Sequence, residues 1–118
     1  MPTVLIVEDD VDIRESLEGL LVHAGYTVAT ASDGAEALAY MRSHDRPCVV
    51  LLDLMMPVMN GRQLRVEMQK DPSLDSIPVV VLSGGGRVEE EAAALGAVGY
   101  VTKPFQTRSV LSLIQQHC

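Results

Sequence analysis

Residues 49–57, VVLLDLMMP, set one carboxylate, Asp53, inside an otherwise apolar run. The run is continuous rather than alternating, the pattern of a strand covered on both faces of a parallel sheet. An ionised carboxylate taken out of water alone costs several kcal/mol unless it is paired or binds a metal. Asp53, at the carboxyl end of such a strand, must therefore meet partners delivered by other segments.

Those segments can be read on either side of it. With Cys48 included, the strand runs 48–53, and four further short apolar stretches recur: VLIV (4–7), YTVATA (26–31), IPVVVL (77–82) and VGYV (98–101). They are rich in β-branched residues, and all but YTVATA are continuous. Between them lie stretches with helical spacing. In DIRESLEGLLVHAG (12–25), Ile13, Leu17, Leu20, Leu21 and Ala24 form an apolar stripe, and Gly25 is suited to the helix stop. DGAEALAYMRSH (33–44) carries Ala35, Leu38 and Met41 at steps of three, with Asp33 as N-cap. GRQLRVEMQK (61–70) turns Leu64 and Met68 inward, RVEEEAAALG (87–96) is short and closed by Gly96, and TRSVLSLIQQHC (107–118) offers Val110, Leu111 and Ile114. The order is (βα)5, and right-handed crossovers then place helices on both faces of an open parallel sheet. No linker, internal repeat or low-complexity segment interrupts it, so residues 1–118 are read as one doubly wound α/β domain.

Composition is consistent with that reading. The 118 residues are 47% apolar and 21% charged, a balance that folds rather than staying disordered. A net charge of −7 argues against direct contact with nucleic acid or an anionic membrane surface. No apolar run approaches the roughly 20 residues of a membrane span, and MPTVLIVEDD lacks the basic start of a signal peptide. Cys48 and Cys118 are expected as a buried small hydrophobe and a free terminal thiol rather than a disulfide, which with the rest implies a cytoplasmic address.

In open α/β sheets the ligand site lies beyond the carboxyl ends of the strands, where strand order reverses. Strand one ends in Glu8-Asp9-Asp10, strand three in Asp53 and strand four near Ser83, while strand five leads into Lys103-Pro104. Acids, a hydroxyl and an ammonium thus converge on one edge. Two carboxylates at about 4 Å and an effective dielectric near 20 repel by roughly 4 kcal/mol. Lys103 offsets one charge, and the remainder calls for a hard cation on oxygen ligands, magnesium before calcium. Taken singly, Asp10 or Asp12 reads as a helix cap, Ser83 as a turn residue and Lys103 as a solvated charge; capping, however, needs one side chain and not three consecutive acids.

At this point the chain resembles, over nearly its full length, the receiver domain of bacterial two-component response regulators. The resemblance is carried by LIVEDD (5–10), LLDLMMPVMNG (51–61), VVLSG (80–84) and GYVTKPF (99–105), in order and at family-like spacing. It implies a flavodoxin-like sheet in strand order 2-1-3-4-5. It implies Asp53 as phosphoacceptor, Glu8 and Asp9 as the acidic pair, and Mg²⁺ held by Asp9, Asp53 and the backbone carbonyl of Met55, with Glu8 acting through water. It further implies Ser83 and Lys103 as phosphoryl contacts, Tyr100 as the switch aromatic, a cis bond before Pro104, and Pro57 and Gly61 as features of the loop after the phosphoacceptor. The donor would be a phosphohistidine on a histidine kinase or phosphotransfer protein. The output would be a changed face made by the fourth helical stretch, the fifth strand and the last helix, controlling a partner protein or output domain. Pairing of two copies through that face is left open.

Two features depart from the commoner pattern. Serine stands at 83 where threonine is more frequent, keeping the hydroxyl, and SGGGR (83–87) places three glycines after it. The glycine run matches no nucleotide-binding spacing and is expected to give the phosphoryl group access and the loop mobility. His23, His44 and His117 lie away from the acidic edge and are expected on the surface; Met55, Met56 and Met59 are expected to pack the loop. The reading is a signalling switch rather than an enzyme. Its competitors are a degenerate receiver serving as a constitutive scaffold, an Asp-nucleophile phosphatase and a flavin carrier. A dehalogenase-like phosphatase would carry a second Asp at position 55, where this chain has Met55, and a flavin carrier would need a hydroxyl-rich phosphate loop.

Overall fold

The apolar runs and helical stripes become, in the computed structural model, an alternation of strands and helices over the described residues, 3–118. In chain order they are β1 (Thr3–Val7), α1 (Val11–His23), β2 (Thr27–Ala31), α2 (Gly34–Ser43), β3 (Val49–Asp53) and α3 (Gly61–Lys70). There follow α4 (Pro72–Asp75), β4 (Val79–Ser83), α5 (Val88–Ala94), β5 (Gly99–Thr102) and α6 (Thr107–His117). The five strands form one parallel sheet in the order β2-β1-β3-β4-β5. The order reverses between β1 and β3, which puts the carboxyl ends of those two strands at the site edge.

Because side chains alternate along a strand, the continuous apolar runs feed two cores at once. Leu5, Val7, Val50, Leu52, Val79 and Val81 face α2, α3 and α5, with Leu38, Leu64, Met68 and Val88 against them. Val4, Ile6, Val49, Leu51, Val80 and Leu82 face the other way, against Leu17 and Leu21 of α1 and Val110 and Ile114 of α6. Both faces are therefore closed to water at β1, β3 and β4, while β2 and β5 keep half-exposed positions. No helix among the described residues is long and apolar enough to cross a membrane.

Helix ends follow local chemistry. The side chains of Asp10, Asp33 and Asn60 accept the N–H groups of Ile13, Glu36 and Gln63, starting α1, α2 and α3. Gly25, at φ 99°, turns the chain out of α1 into β2. On α2 the buried face carries Ala37, Leu38 and Met41, with Ala37 rather than Ala35 fully covered.

Three features lie outside the sequence reading. Residues 72–75, to which the sequence reading assigned no element, form a helical turn, because Pro72 sits at its first position and Asp71 caps it through Ser73. In this numbering the face that the resemblance implies as the output is made by α5, β5 and α6. Arg65, on the inward side of α3, is buried. Its Nε donates to the Leu95 carbonyl at 2.8 Å, its Nη1 to the Asp75 carbonyl at 3.3 Å, and Nη2 lies 3.6 Å from Asp75 Oδ1. Finally, Cys48 and Cys118 are joined by a disulfide, with Cα atoms 5.4 Å apart, correcting the expectation of two free thiols. The reason is topological. A helix that follows a parallel strand runs back toward the amino edge of the sheet, so the end of α6 arrives where β3 begins.

Candidate functional site

β1 ends in a carboxylate held under the surface. Glu8 is 0% exposed, its N–H donates to Ala31 O at 3.1 Å, and its own carbonyl accepts Arg14 Nη1 at 2.9 Å. Asp53, at the end of β3, is 3% exposed, and its Oδ1 accepts the Met55 N–H at 3.2 Å. Asp9 stands beside them in solvent. One oxygen from each of Glu8, Asp9 and Asp53 lies within 4.8 Å of the others. Asp10, next in sequence, caps α1 instead.

Lys103 arrives from the loop after β5. Its backbone N–H donates to Ser83 O at 2.9 Å, and the Lys103–Pro104 peptide is cis, as the resemblance implies. Its Nζ lies 2.5 Å from Glu8 Oε1 and 3.5 Å from Asp53 Oδ1. One ammonium thus pairs with two carboxylates, and the third, Asp9, lies close to both acids. Burial, and then the neighbouring Asp53 carboxyl, push Glu8 up to about 8, with Lys103 pulling the other way and losing. Burial would lower the Lys103 ammonium, but Glu8 and Asp53 outweigh it and hold its pKa above the ordinary value. Glu8 Oε2 has no hydrogen-bond partner among the described residues although it is buried. An excess of carboxylate oxygen with one orphaned buried atom is a donor set suited to a hard divalent cation.

Ser83, 7% exposed at the end of β4, accepts the Gly85 N–H on its Oγ at 3.1 Å. None of Gly84, Gly85 and Gly86 has a positive φ. An added Cβ would meet nothing closer than Lys103 Cβ at 3.9 Å at Gly84 and nothing within 4 Å at Gly86. Neither conformation nor crowding demands the run, so what it provides is a β4 side bare of side chains. Gly61 differs: a Cβ there would stand 2.5 Å from the Asp53 carbonyl and 2.9 Å from Leu54 Cα, so only glycine lets α3 start against the end of β3.

The β3–α3 loop completes the rim. Met56 and Met59 pack against the core as expected, but Met55 lies exposed. Val58 occupies φ 66°, a left-handed conformation that costs an ordinary residue about 1–2 kcal/mol and is foreign to β-branched side chains. Its side chain is 82% exposed, so little packing compensates. Val58→Gly is expected to stabilise the fold by about 0.5–1 kcal/mol, once glycine's own entropy is subtracted, in urea unfolding with an unchanged m-value.

Tyr100, in β5 opposite Val81, points outward and is 40% exposed. His44 stacks on Tyr40 with ring centroids 4.1 Å apart, and none of the three histidines joins the acidic cluster. Sequence reading did not single out Arg14, whose position one turn into the helix after the acidic run was the available signal.

The site is thus a recessed acidic edge with one lysine, on a parallel sheet of order 2-1-3-4-5. The comparisons name the family. The response regulator receiver domain model matches residues 4–115. Response regulator MprA of Mycobacterium ulcerans is 42% identical over 111 residues, 92% of this chain and 47% of that protein. The probable transcriptional regulator ycf29 of Pyropia yezoensis is 32% identical over 114 residues, 93% of this chain and 50% of that protein. Among solved structures, the chemotaxis response regulator CheY4 of Vibrio cholerae matches with a TM-score of 0.89 and 34% identity, covering 100% of this chain and 99% of that one. The receiver domain of Francisella response regulator 1452 matches at TM-score 0.88 and 28% identity over 98% of this chain and 94% of that one. The chain belongs to the response regulator receiver domain family. It spans about half the length of the curated relatives it matches.

Proposed function

We propose that this receiver is a phosphorylation switch in which Asp53 is the phosphoacceptor. The observation that carries the reading is Lys103 Nζ standing between Glu8 Oε1 and Asp53 Oδ1, with three carboxylates gathered within 4.8 Å. A carboxylate oxygen of Asp53 attacks the phosphorus of a phosphohistidine; a P–O bond forms, the P–N bond breaks, and the imidazole leaves with its electron pair. The product is an aspartyl phosphate. Lys103 then has a use beyond neutralising Glu8: its ammonium meets the phosphoryl oxygens as a point charge. Ser83 Oγ, held at the adjoining strand end, supplies a hydroxyl donor to the same group, and the bare glycines leave the approach open. Asp9, Asp53 and the Met55 backbone, with Glu8 behind them, would hold Mg²⁺, which supplies charge neutralisation of the transferred group.

Signalling follows from contacts made better in one state than the other. The phosphoryl group adds negative charge and strong acceptor oxygens, drawing Ser83 inward, and Tyr100 turns into the space vacated. The α5–β5–α6 face changes accordingly and acts on a downstream protein or an output domain. The donor class is a histidine kinase or a phosphotransfer protein.

Intact-mass measurement after incubation with acetyl phosphate tests the reading. A phosphoryl adduct that forms with Mg²⁺ and not with a chelator is expected. Continuous release of phosphate from assorted esters, with no adduct, would overturn it in favour of a hydrolase.

A further inference from the structure

Cys48 and Cys118 lie 70 residues apart in sequence and meet at the amino edge of the sheet, away from the acidic site. We propose that they form a reversible thiol–disulfide site, reacting with low-molecular-weight disulfides of the glutathione class and setting the order of the last turn of α6. The inference goes beyond the phosphorylation reading and needs from it only the cytoplasmic address that such a switch implies.

Both redox states fit the same backbone. The Cα separation of 5.4 Å lies within the span of about 4.4–6.8 Å that disulfides take, so closure demands no movement of β3. Cys48 Sγ already lies 3.4 Å from the Thr3 carbonyl in the disulfide-bonded form, so a thiol at that place would find an acceptor for its S–H and opening the bond would strand no polar group. Access is one-sided: Cys118 is exposed and Cys48 half-buried, so an incoming thiolate reaches Cys118 first. The fold does not need the bond as a staple. Two apolar cores already close the sheet, unlike small secreted domains that depend on disulfides. In a reducing compartment, disulfides that are not required structurally are transient and redox-sensing.

The chemistry balances as two exchanges. On oxidation, the Cys118 thiolate attacks the small disulfide, forming a mixed disulfide and releasing one small thiolate. The Cys48 thiolate then attacks Cys118 Sγ, closing the protein disulfide and releasing the second. Two protein thiols are oxidised, one small disulfide is reduced to two thiols, and the reverse sequence opens the bond.

The consequence falls on α6. Its buried contacts are Val110 and Ile114, and Leu113 fills the space where a side chain on Gly99 of β5 would stand. Beyond Ile114 the last turn is held by the Cys118 N–H to Ile114 O bond at 2.8 Å and by the disulfide. Opening the disulfide lets that turn fray, at the margin of the α5–β5–α6 face. Cys48 and Asp53 stand at opposite ends of one strand, about 16 Å apart at the usual rise per residue, so the sulfur site leaves phosphoacceptor chemistry alone.

The test equilibrates the full chain with mixtures of reduced and oxidised glutathione, followed by acid quench, alkylation and intact mass. The protein is expected to pass from doubly alkylated to unalkylated as oxidised glutathione increases. The oxidised form should melt about 10 °C or more higher, and amides of residues 114–118 should exchange at least tenfold more slowly in it. Phosphorylation by acetyl phosphate should proceed at the same rate in both forms. A disulfide intact at every ratio, or two alkylatable thiols at every ratio, overturns the proposal. Equal exchange in the two forms overturns its coupling to α6. Cys118→Ser should reproduce the reduced form's exchange pattern whatever the glutathione ratio.

Discussion

Asp53→Asn is expected to take up no phosphoryl group from acetyl phosphate at any magnesium concentration, and to be more stable than the parent in chelator at alkaline pH. The first half follows from the loss of the attacking carboxylate, since an amide oxygen in the same place is a poor nucleophile. The second follows from charge. Glu8 is buried and titrates at about 8, first because of its burial and then because Asp53 stands beside it. A carboxyl that binds its proton more tightly folded than unfolded favours folding while protonated, and that advantage is lost as pH rises from the ordinary 4.5 to about 8. The metal-free parent should therefore lose stability between pH 5.5 and 8.5, on the order of 3 kcal/mol over that interval. In Asp53→Asn the like charge is gone and Lys103 answers Glu8 alone, so the slope should flatten. Urea unfolding of both proteins in chelator at the two pH values decides the matter; parallel slopes would show that the two carboxyls do not interact.

Lys103→Met should slow the phosphorylation of Asp53 about 100-fold or more, the usual loss when one preorganised charge is removed from a transferring group. Lys103→Arg should not restore the rate, because a forked guanidinium cannot take the place of a point charge 2.5 Å from Glu8 Oε1 and 3.5 Å from Asp53 Oδ1. The same substitution removes the counterion of a fully buried acid. Stability in chelator should drop by about 3 kcal/mol above pH 8, where Glu8 is ionised, and by less near pH 6, where it keeps its proton. Added Mg²⁺ should recover part of that loss. A methionine variant that accepts phosphoryl groups at the parent's rate would remove Lys103 from the chemistry and leave it a purely structural partner of Glu8.

The sheet was legible because its strands are apolar on both faces. VLIV, VVLL and VVVL allow no other placement in a chain this short, and the acids that follow two of them mark the edge where a site must lie. Glu8, Asp53 and Lys103 converge as the strand ends predicted. The misses share a cause. Arg65 carries a side chain that pattern reading assigns to solvent, and it is buried because carbonyls at 75 and 95, brought in by other elements, satisfy its donors. The Cys48–Cys118 bond depends on where α6 ends relative to β3, a distance that no local pattern encodes. Val58 in a left-handed conformation could not be read either, since its identity argues against it.

Arg65 has a mechanical corollary. By donating to the Leu95 carbonyl, it moors the trailing end of α5 to α3, while Val88, buried against the strands, moors the leading end in the core. The seven residues between, about 10 Å of helix, are therefore a strut pinned twice rather than a loose arm.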